Sequence, residues 1–412
     1  MKVQCMKCTQ PPVYAAKRNS VTGMDLTDRQ RYNNLPGHHR ADVTNQKSVF
    51  TVQYLIVSQS LRMLSFFCVV ASAALAAATS LHIQGHRNGP LILQDAGDFF
   101  VGGREVKTLV NTGDRSNPLF DYPPEDWIFV DQMYVEYQIP MNGTNHLPYI
   151  LVHGCCLSGK TYQDTPDGRM GWAEYLVRKG HPVYIPDQTS RARSGFDPTI
   201  FNQVQLGEVA PSALPRIEIA GRQRAWDLFR FGYTYPQVFP GLQYPIEAMA
   251  ELSKQVIPDL NAMLPNPNPT YANLASLASK VHGAVLVGHS ESAFFPFYAA
   301  LNNSSAVRGI VSIEGQCPTL TDEEIAVLAT IPTLFVYGDY LDQAKVSRRV
   351  WPQSLQGCQA VVDRLTAAGG RAFMAELPKL GIYGNSHMMM QDKNNLQIAD
   401  FIMDWIEENV DN

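Results

Sequence analysis

The chain has 412 residues, and 45% of them are hydrophobic, which is enough for one large core or for two domains. Nine of its 33 Lys and Arg residues but only three of its 38 Asp and Glu residues lie in residues 1–78, so the remainder carries 24 bases, 35 acids and a net charge of −11. An acidic body of this kind disfavours nucleic acid and anionic membranes as partners.

An apolar run that ends in small residues begins at Met63. Ala76-Ala77-Ala78 fits the cleavage pattern of a secretory signal peptide. We therefore predict that residues 1–62 are a gene-model extension or disordered, that residues 63–78 are the signal peptide, and that the mature protein is secreted. A signal anchor is the alternative, although the run is short and Ala-rich for a membrane span. After cleavage we expect no stable membrane association.

Deleting residues 1–62 is expected to leave secretion of the functional protein intact, because the export signal starts at Met63. N-terminal sequencing of the secreted protein checks this. A mature N-terminus that lies before residue 63 would contradict it.

Residues 79–412 are predicted to form one α/β domain. Two short apolar segments at 91–93 and 99–101, a turn at Gly102-Gly103 and an alternating segment at 133–137 predict antiparallel strands at one edge. Later strands read as continuous apolar runs, as expected for strands covered on both faces; they are 149–152, 183–185, 284–287, 309–313, 333–337 and 373–377. Helical patterns alternate with most of them, at 172–179, 294–301, 358–368 and 395–408. This order predicts a mostly parallel sheet with helices on both faces.

The interval between Asp187 and Val281 is much longer than a simple strand–helix–strand unit needs. It is rich in aromatic residues, and residues 246–263 have helical spacing. We predict a helical cap inserted at about residues 188–280 over the carboxyl edge of the sheet, where sites of open α/β sheets lie. The alternative is a set of additional core helices with no role at the site.

A buried strand runs directly into Gly288-His289-Ser290-Glu291-Ser292, and a helical pattern follows. Strand, tight turn and helix around a central serine form the nucleophile elbow of serine hydrolases. Small residues are required on both sides of the serine because the backbones approach closely there, and Gly288 and Ser292 meet this requirement. Ser290 is the predicted nucleophile.

A serine nucleophile needs a base and a third group that orients the base. In this fold the chain order is serine, acid, histidine, and His387 is the only histidine after Ser290. Two acids fit the third role: Glu314 ends the strand 309–313, and Asp339 follows the strand 333–337. Spacing alone leaves both open, and the other acid is expected to have a turn or capping role.

The oxyanion hole is expected to use the N–H of Glu291 and an N–H from the turn His153-Gly154-Cys155-Cys156. Adjacent Cα atoms are about 3.8 Å apart, below the usual disulfide span of roughly 4.4–6.8 Å. A Cys155–Cys156 bond would therefore be strained, but it would fix the turn. The alternative is two free buried thiols, which an oxidising compartment disfavours.

No cofactor and no metal are predicted, because the sequence has no Gly-rich phosphate loop and no His/Cys cluster with ligand spacing. Glycosylation sequons begin at Asn142, Asn302 and Asn303. The oligomeric state is left open, with a homodimer as one option.

The most specific segments are His153-Gly154-Cys155-Cys156, Thr165-Pro166-Asp167-Gly168-Arg169-Met170-Gly171-Trp172, Gly288-His289-Ser290, Val311-Ser312-Ile313-Glu314 and Gly384-Asn385-Ser386-His387-Met388-Met389-Met390-Gln391-Asp392. From about residue 90 onward the chain resembles a small family of secreted bacterial and fungal α/β-hydrolase esterases with a vicinal disulfide at the oxyanion hole. The resemblance implies Glu314 as the triad acid in place of Asp339, disulfides Cys155–Cys156 and Cys317–Cys358, and oxyanion donors at the N–H groups of Cys155 and Glu291.

The activity that the resemblance implies is carboxylic ester hydrolysis of a small-molecule substrate, by Ser290, His387 and Glu314 through an acyl-enzyme. Two residues depart from the general pattern: Ser292 replaces the usual second glycine, and Glu291 would oppose a developing oxyanion unless its carboxylate points away. A thioesterase or lyase with the same triad, and a catalytically inactive binding protein, are the alternatives.

Overall fold

The computed structural model describes residues 89–110, 123–141 and 146–410. The predicted extension and signal peptide and the sequon at Asn142 lie outside the described residues, so those predictions stay predictions. The described residues belong to one compact unit. Among them, no helix has the length and the apolar character that a membrane crossing requires.

An eight-stranded sheet with the order β1-β2-β4-β3-β5-β6-β7-β8 lies at the centre. β1 and β2 are antiparallel to their neighbours, whereas β3 to β8 run parallel to one another. The strands are β1 (Leu93–Leu109), β2 (Glu125–Pro140), β3 (Tyr149–Val152), β4 (Val183–Asp187), β5 (Ala284–His289), β6 (Val307–Ile313), β7 (Thr333–Tyr337) and β8 (Ala372–Glu376). The predicted α/β-hydrolase fold, with antiparallel strands at one edge of a mostly parallel sheet, is confirmed.

Helices cover both faces of the sheet. Those of the described residues are α1 (Lys160–Gln163), α2 (Trp172–Arg178), α3 (Thr199–Gln205), α4 (Arg222–Leu228), α5 (Met249–Gln255), α6 (Pro269–Lys280), α7 (Phe295–Asn302), α8 (Asp322–Leu328), α9 (Trp351–Ala367) and α10 (Asn395–Asn409). Apolar residues of α2 and α10 pack in one core cluster, and those of α6 to α9 pack in the other. β5 supplies Val285 and Val287 to the first cluster and Ala284 and Leu286 to the second. This two-sided burial explains its continuous apolar run.

The predicted turn at Gly102-Gly103 is wrong, because β1 continues through both glycines. Its register with β2 is the same on either side, with Gly102 opposite Gln132 and Arg104 opposite Val130. The φ angles of Gly102 and Gly103 are 67° and 92°, and that of Asp131 on β2 is 64°. Glycine tolerates positive φ, so the paired strands distort locally at this point and neither strand ends.

The helical spacing of residues 246–263 produces one short α-helix, α5, and single 3₁₀ turns at Ile246–Ala248 and Asn261–Met263. Beyond Gln255 the backbone of Val256 is extended, with ψ 125°. Pro258 disfavours the helical conformation for the residue before it and has no N–H to donate. The proline therefore ends the helix early, although the apolar spacing continues.

The end of the predicted cap insertion packs on the sheet. Leu274 and Leu277 of α6 share a core cluster with Met133 and Val135 of β2. α6 is thus the helix that leads back into β5, as in any strand–helix–strand unit. The cap boundaries at about 188–280 stay a prediction.

Candidate active site

Ser290 directly follows β5 and begins a 3₁₀ turn, Ser290–Phe294, that leads into α7. Its φ is 60°, a conformation that residues other than glycine rarely adopt and that suits the strained turn of a nucleophile elbow. A Cβ at Gly288 would clash with the carbonyl oxygen of Ser292. The small residue that the sequence predicts at this position is therefore required by a close backbone approach.

Ser292, in place of the usual second glycine, fixes the elbow to the neighbouring strand. Its Oγ donates to the carbonyl oxygen of Val152 at 2.9 Å and accepts from the N–H of His289 at 3.0 Å. Both groups are buried. The departure from the general pattern thus adds two hydrogen bonds to the turn that carries Ser290.

His387 lies in the loop between β8 and α10 and contacts the two other predicted triad residues. Its Nε2 lies 2.8 Å from Ser290 Oγ, and its Nδ1 lies 2.6 Å from Glu314 Oε2. Glu314 follows β6 directly, with φ 47°. The fold brings Ser290, His387 and Glu314 into one hydrogen-bonded chain.

Asp339 has contacts of a different kind. Its carboxylate accepts from the N–H groups of Tyr340, at 2.8 Å, and Gly384, at 3.1 Å. Its own N–H donates to the carbonyl oxygen of Asn385 at 2.8 Å. These bonds join the end of β7 to the loop that carries His387, so the contacts of Asp339 are those of a turn residue.

The charge states of Glu314 and His387 follow from their neighbours. Burial alone would raise the pKa of Glu314, but Arg230 and His387 outweigh burial and hold this pKa at about 2. Burial lowers the pKa of His387 from its ordinary 6.5, while Glu314 opposes that shift. At neutral pH Glu314 is therefore ionised and His387 is a neutral imidazole that can accept a proton.

Two aromatic rings enclose His387. The ring of Phe229 stacks on the imidazole with centroids 5.6 Å apart, and the ring of Trp351 lies 4.6 Å away. The N–H of His387 donates to the carbonyl oxygen of Phe229 at 3.0 Å. The imidazole is thus held in place, and the two rings shield it from bulk solvent.

The predicted oxyanion turn follows β3. His153 is buried, and burial lowers its pKa to about 4; its neutral ring accepts at Nε2 from the N–H of Gln188 at 3.0 Å and donates from Nδ1 to the Gly154 carbonyl oxygen at 2.9 Å. A Cβ at Gly154 would lie 2.9 Å from Ser290 Cβ, so only glycine lets the turn approach the nucleophile. Within residues 89–110, 123–141 and 146–410, the N–H groups of Cys155 and Glu291 donate to no other protein group.

One solved structure resembles this chain over nearly all of its own length. It is described as the atomic-resolution structure of a novel bacterial esterase, is 46% identical with a TM-score of 0.73, and matches over 78% of this chain and 98% of its own. This chain belongs to the family of that esterase. It is a carboxylesterase with the α/β-hydrolase fold.

A second similar protein is the probable secreted lipase PhiG of Fungal sp. (strain ATCC 74256). It is 26% identical, over 67% of this chain and 86% of the lipase. No family model matches the chain.

The Glu291 side chain of the esterase is bound to two polar residues beside the nucleophile. Arg191 Nη2 donates to Oε2 at 3.2 Å, and Asn261 Nδ2 donates to Oε1. Burial raises the pKa of Glu291 to about 7, against the effect of Arg191. The carboxylate charge is therefore partly neutralised near pH 7, and its oxygens are occupied by these two donors. This arrangement reduces the repulsion between the Glu291 carboxylate and a developing oxyanion.

The Cys155–Cys156 bridge that the resemblance implies is not present in this structure. The two Sγ atoms lie 2.9 Å apart and both cysteines are free. Neighbouring residues place their Cα atoms closer together than a relaxed disulfide requires, so the two thiols can lie in contact without a bond. The separation of 2.9 Å is longer than an S–S bond of about 2.05 Å but shorter than an ordinary contact between unbonded sulfur atoms, so the bridge stays a prediction.

The second predicted bridge is formed. Cys317, after β6, and Cys358, on α9, are joined by a disulfide that closes a sequence separation of 41 residues. It ties the segment that follows Glu314 to the helix that begins with Trp351.

Replacing Cys317 and Cys358 with alanine is expected to lower the free energy of unfolding by about 4 kcal/mol, because the disulfide restricts a long loop in the unfolded chain. The kcat of the folded variant should stay near the wild-type value, since neither cysteine contacts Ser290 or His387. Urea unfolding and ester hydrolysis measure the two effects. Wild-type stability in the variant would contradict this prediction.

One cluster could offer ligands to a metal ion. Candidate donor atoms of Cys155, Cys156 and Asp259 lie within 4.8 Å of one another. Asp259 is already paired with Arg191 at 2.5 Å, and structural zinc sites use four ligands. We therefore propose no metal here.

The two longest sequence motifs meet around the His387 loop. Arg169, in the first motif, donates to the carbonyl oxygens of Gln391 at 2.9 Å and Asp392 at 2.8 Å, in the second. The carboxylate of Asp392 in turn accepts from the N–H of Ser386 at 2.8 Å and from its Oγ at 2.7 Å. The first motif, which holds no triad residue, thus stabilises the loop that carries His387.

Sequence reasoning missed Arg191 and Arg230, which are buried cations beside Glu291 and Glu314. A signal for Arg230 was present, because it stands between Phe229 and Phe231 in a segment rich in aromatic residues. The aromatic neighbours indicate a buried segment, and an arginine is rarely buried unless a carboxylate pairs with it.

Proposed function

We propose that this esterase hydrolyses carboxylic esters of small molecules through an acyl-enzyme on Ser290. His387 acts as general base and then as general acid, and Glu314 orients it and stabilises its protonated form. The observation that carries this proposal is the hydrogen-bonded chain from Ser290 Oγ to His387 Nε2, at 2.8 Å, and from His387 Nδ1 to Glu314 Oε2, at 2.6 Å.

In the first half-reaction, His387 Nε2 accepts the hydroxyl proton as Ser290 Oγ attacks the ester carbonyl. The carbonyl oxygen becomes an oxyanion and accepts from the N–H groups of Cys155 and Glu291, which have no other acceptor within the described residues. The imidazolium then gives its proton to the departing alcohol. Water then attacks the acyl-enzyme, with His387 again as the base and then the acid, and the carboxylic acid is released from Ser290.

Acid should inhibit this reaction by protonating His387, because only the neutral imidazole can accept a proton. Its pKa lies below 6.5 since burial lowers it, so the acidic limb of kcat/KM should have its midpoint below pH 6.5. Glu314, with a pKa of about 2, stays ionised throughout this range. A kcat/KM profile measured from pH 4 to 9 checks this.

Glu291, whose pKa is raised to about 7, is one nearby group whose titration could imitate this limb. Glu291→Gln removes its titration and keeps its backbone N–H, so the variant should show the same limb. A limb that disappears in the variant would assign the titration to Glu291 instead.

Competition between water and methanol for the acyl group tests the acyl-enzyme itself. Esters of one acid with different alcohol groups are hydrolysed in the presence of methanol, and the ratio of methyl ester to free acid is measured. A shared acyl-enzyme predicts one ratio for all leaving groups. A ratio that changes with the leaving group would contradict a shared intermediate.

We also propose that the protein acts outside the cell. Support comes from the signal-like run at 63–78, from the Cys317–Cys358 disulfide and from the similarity to a probable secreted lipase.

A further inference from the structure

Arg230 is a fully buried cation in the chain segment between β4 and β5, 84 residues before Glu314. Its Nη1 donates to Glu314 Oε2 at 2.6 Å, and its Nη2 donates to Oε1. Its Nε donates to the carbonyl oxygen of Asp339 at 2.7 Å. The planar guanidinium therefore binds both carboxylate oxygens and is itself fixed by the end of β7.

The same carboxylate serves His387. Glu314 Oε2 accepts from both Arg230 Nη1 and His387 Nδ1, while Oε1 also accepts from the N–H of Gly338 at 2.5 Å. The Trp351 ring lies against both side chains that bind this carboxylate, 5.5 Å from Arg230 Cζ and 4.6 Å from the His387 ring. With four donors on two oxygens, the carboxylate has no freedom to rotate away from His387.

We infer that Arg230 is a positioning residue of the esterase reaction, which holds the Glu314 carboxylate toward His387 and keeps a fixed positive charge beside the triad. This inference rests on the proposed roles of Ser290, His387 and Glu314. Arg230 is then a further residue of this site, and it lies in the segment between β4 and β5.

The positive charge has a definite effect on the base. A buried ion pair costs desolvation and is weak support for stability, whereas a cation next to an imidazole disfavours its protonation. Arg230 accordingly lowers the pKa of His387, and it lowers the pKa of Glu314 as well. The base thus stays neutral, and the enzyme stays active, at a lower pH than it would without Arg230.

Other ionisable groups near His387 and Glu314 do not replace this charge. His289, 4.6 Å from the His387 ring, is neutral because burial lowers its pKa well below 6.5. The Tyr337 hydroxyl donates to the Gly315 carbonyl oxygen, and burial raises its pKa. Asp392, whose pKa burial raises to about 7, and Glu291 are acids. In the described part of the chain, Arg230 is the cation that acts on His387.

The pH profile of Arg230 variants separates a role in the reaction from a role in folding. Arg230→Met removes the charge, so the acidic limb of kcat/KM should move up by about one pH unit, and kcat should fall roughly 10²-fold as the carboxylate loses its fixed orientation. Arg230→Lys keeps the charge but cannot bind two oxygens at once. Its limb should stay at the wild-type pH while kcat falls about tenfold.

The matched control is Arg216→Met, which removes an exposed cation of the same segment that pairs, among the residues the structure describes, with Glu218. Its limb and kcat should equal those of the wild type. An unmoved limb in folded Arg230→Met, checked by circular dichroism, would overturn the inference. If Arg230→Met does not fold, Arg230→Lys decides, because it retains the buried charge: a wild-type kcat there overturns the inference.

Arg230→Ala assayed with added methylguanidinium provides an independent readout, since the free cation can occupy the vacated position and should restore part of kcat. Ser290→Ala separates this inference from the proposed function. Full activity in Ser290→Ala would overturn the triad itself, whereas an inactive Ser290→Ala together with an unmoved limb in Arg230→Met would overturn only the role of Arg230.

Discussion

Replacing Ser290 with alanine is expected to reduce kcat by about 10⁶-fold, as removal of the nucleophile does in a well-studied serine hydrolase. The variant keeps the turn and the N–H groups proposed for the oxyanion hole but lacks the hydroxyl on which the proposed acyl-enzyme forms. Hydrolysis of a p-nitrophenyl ester by the purified protein measures the loss, and circular dichroism checks the fold.

Ser292→Gly is the matched control for this prediction. It removes a serine hydroxyl two residues away and restores the more usual glycine of the elbow. We expect some loss of stability, because two hydrogen bonds of Ser292 disappear, but a kcat within about tenfold of the wild type, since this hydroxyl has no part in the chemistry. Near-normal activity in Ser290→Ala would contradict the role of Ser290.

Glu314→Gln should lower kcat by about 10⁴-fold, the loss found when a triad acid is neutralised in one well-studied protease. The amide cannot accept in the same way from His387 Nδ1 or stabilise the imidazolium. The change also leaves Arg230 buried without a counter-charge, so the free energy of unfolding should fall by about 3–5 kcal/mol. Kinetics must therefore be measured well below the melting temperature of the variant.

Asp339→Asn is the comparison that decides between the two acids. The amide retains an oxygen that can accept from Gly384 or Tyr340, and neither bond involves His387. A loss of less than about tenfold in kcat is expected, in keeping with a turn residue. If Asp339→Asn were the crippling change and Glu314→Gln the mild one, the assignment of the acid would be wrong.

The sheet and the elbow could be predicted because their signals are local. Continuous apolar runs such as 284–287 indicate a strand buried on both faces, and a serine between small residues directly after it indicates the tight turn. His387 could be predicted from the chain order of serine, acid and histidine in this fold. The acid could not be chosen by spacing, since β6 and β7 are parallel neighbours and both end at the same edge of the sheet. The 2.6 Å contact between His387 and Glu314 favours Glu314.

The residues that reasoning missed are those whose partners are distant in sequence. Arg230 meets Glu314 across 84 residues, and Arg191 meets Glu291 across 100. A sequence pattern usually gives an isolated arginine a surface position. The aromatic neighbours of Arg230 indicate burial, but nothing local reveals which carboxylate pairs with it. Two adjacent glycines fit a turn between strands as well as a local distortion within one strand. Only the pairing with β2 shows that Gly102-Gly103 is the second of these.

Covalent labelling with a fluorophosphonate, followed by mass spectrometry of the digested protein, tests the central claim most directly. The reagent phosphonylates a serine that a neighbouring base activates. We expect one adduct per chain, on Ser290, no labelling of Ser290→Ala, and much slower labelling of Glu314→Gln. An adduct on another residue, or no adduct in protein that hydrolyses esters, would contradict Ser290 as the nucleophile.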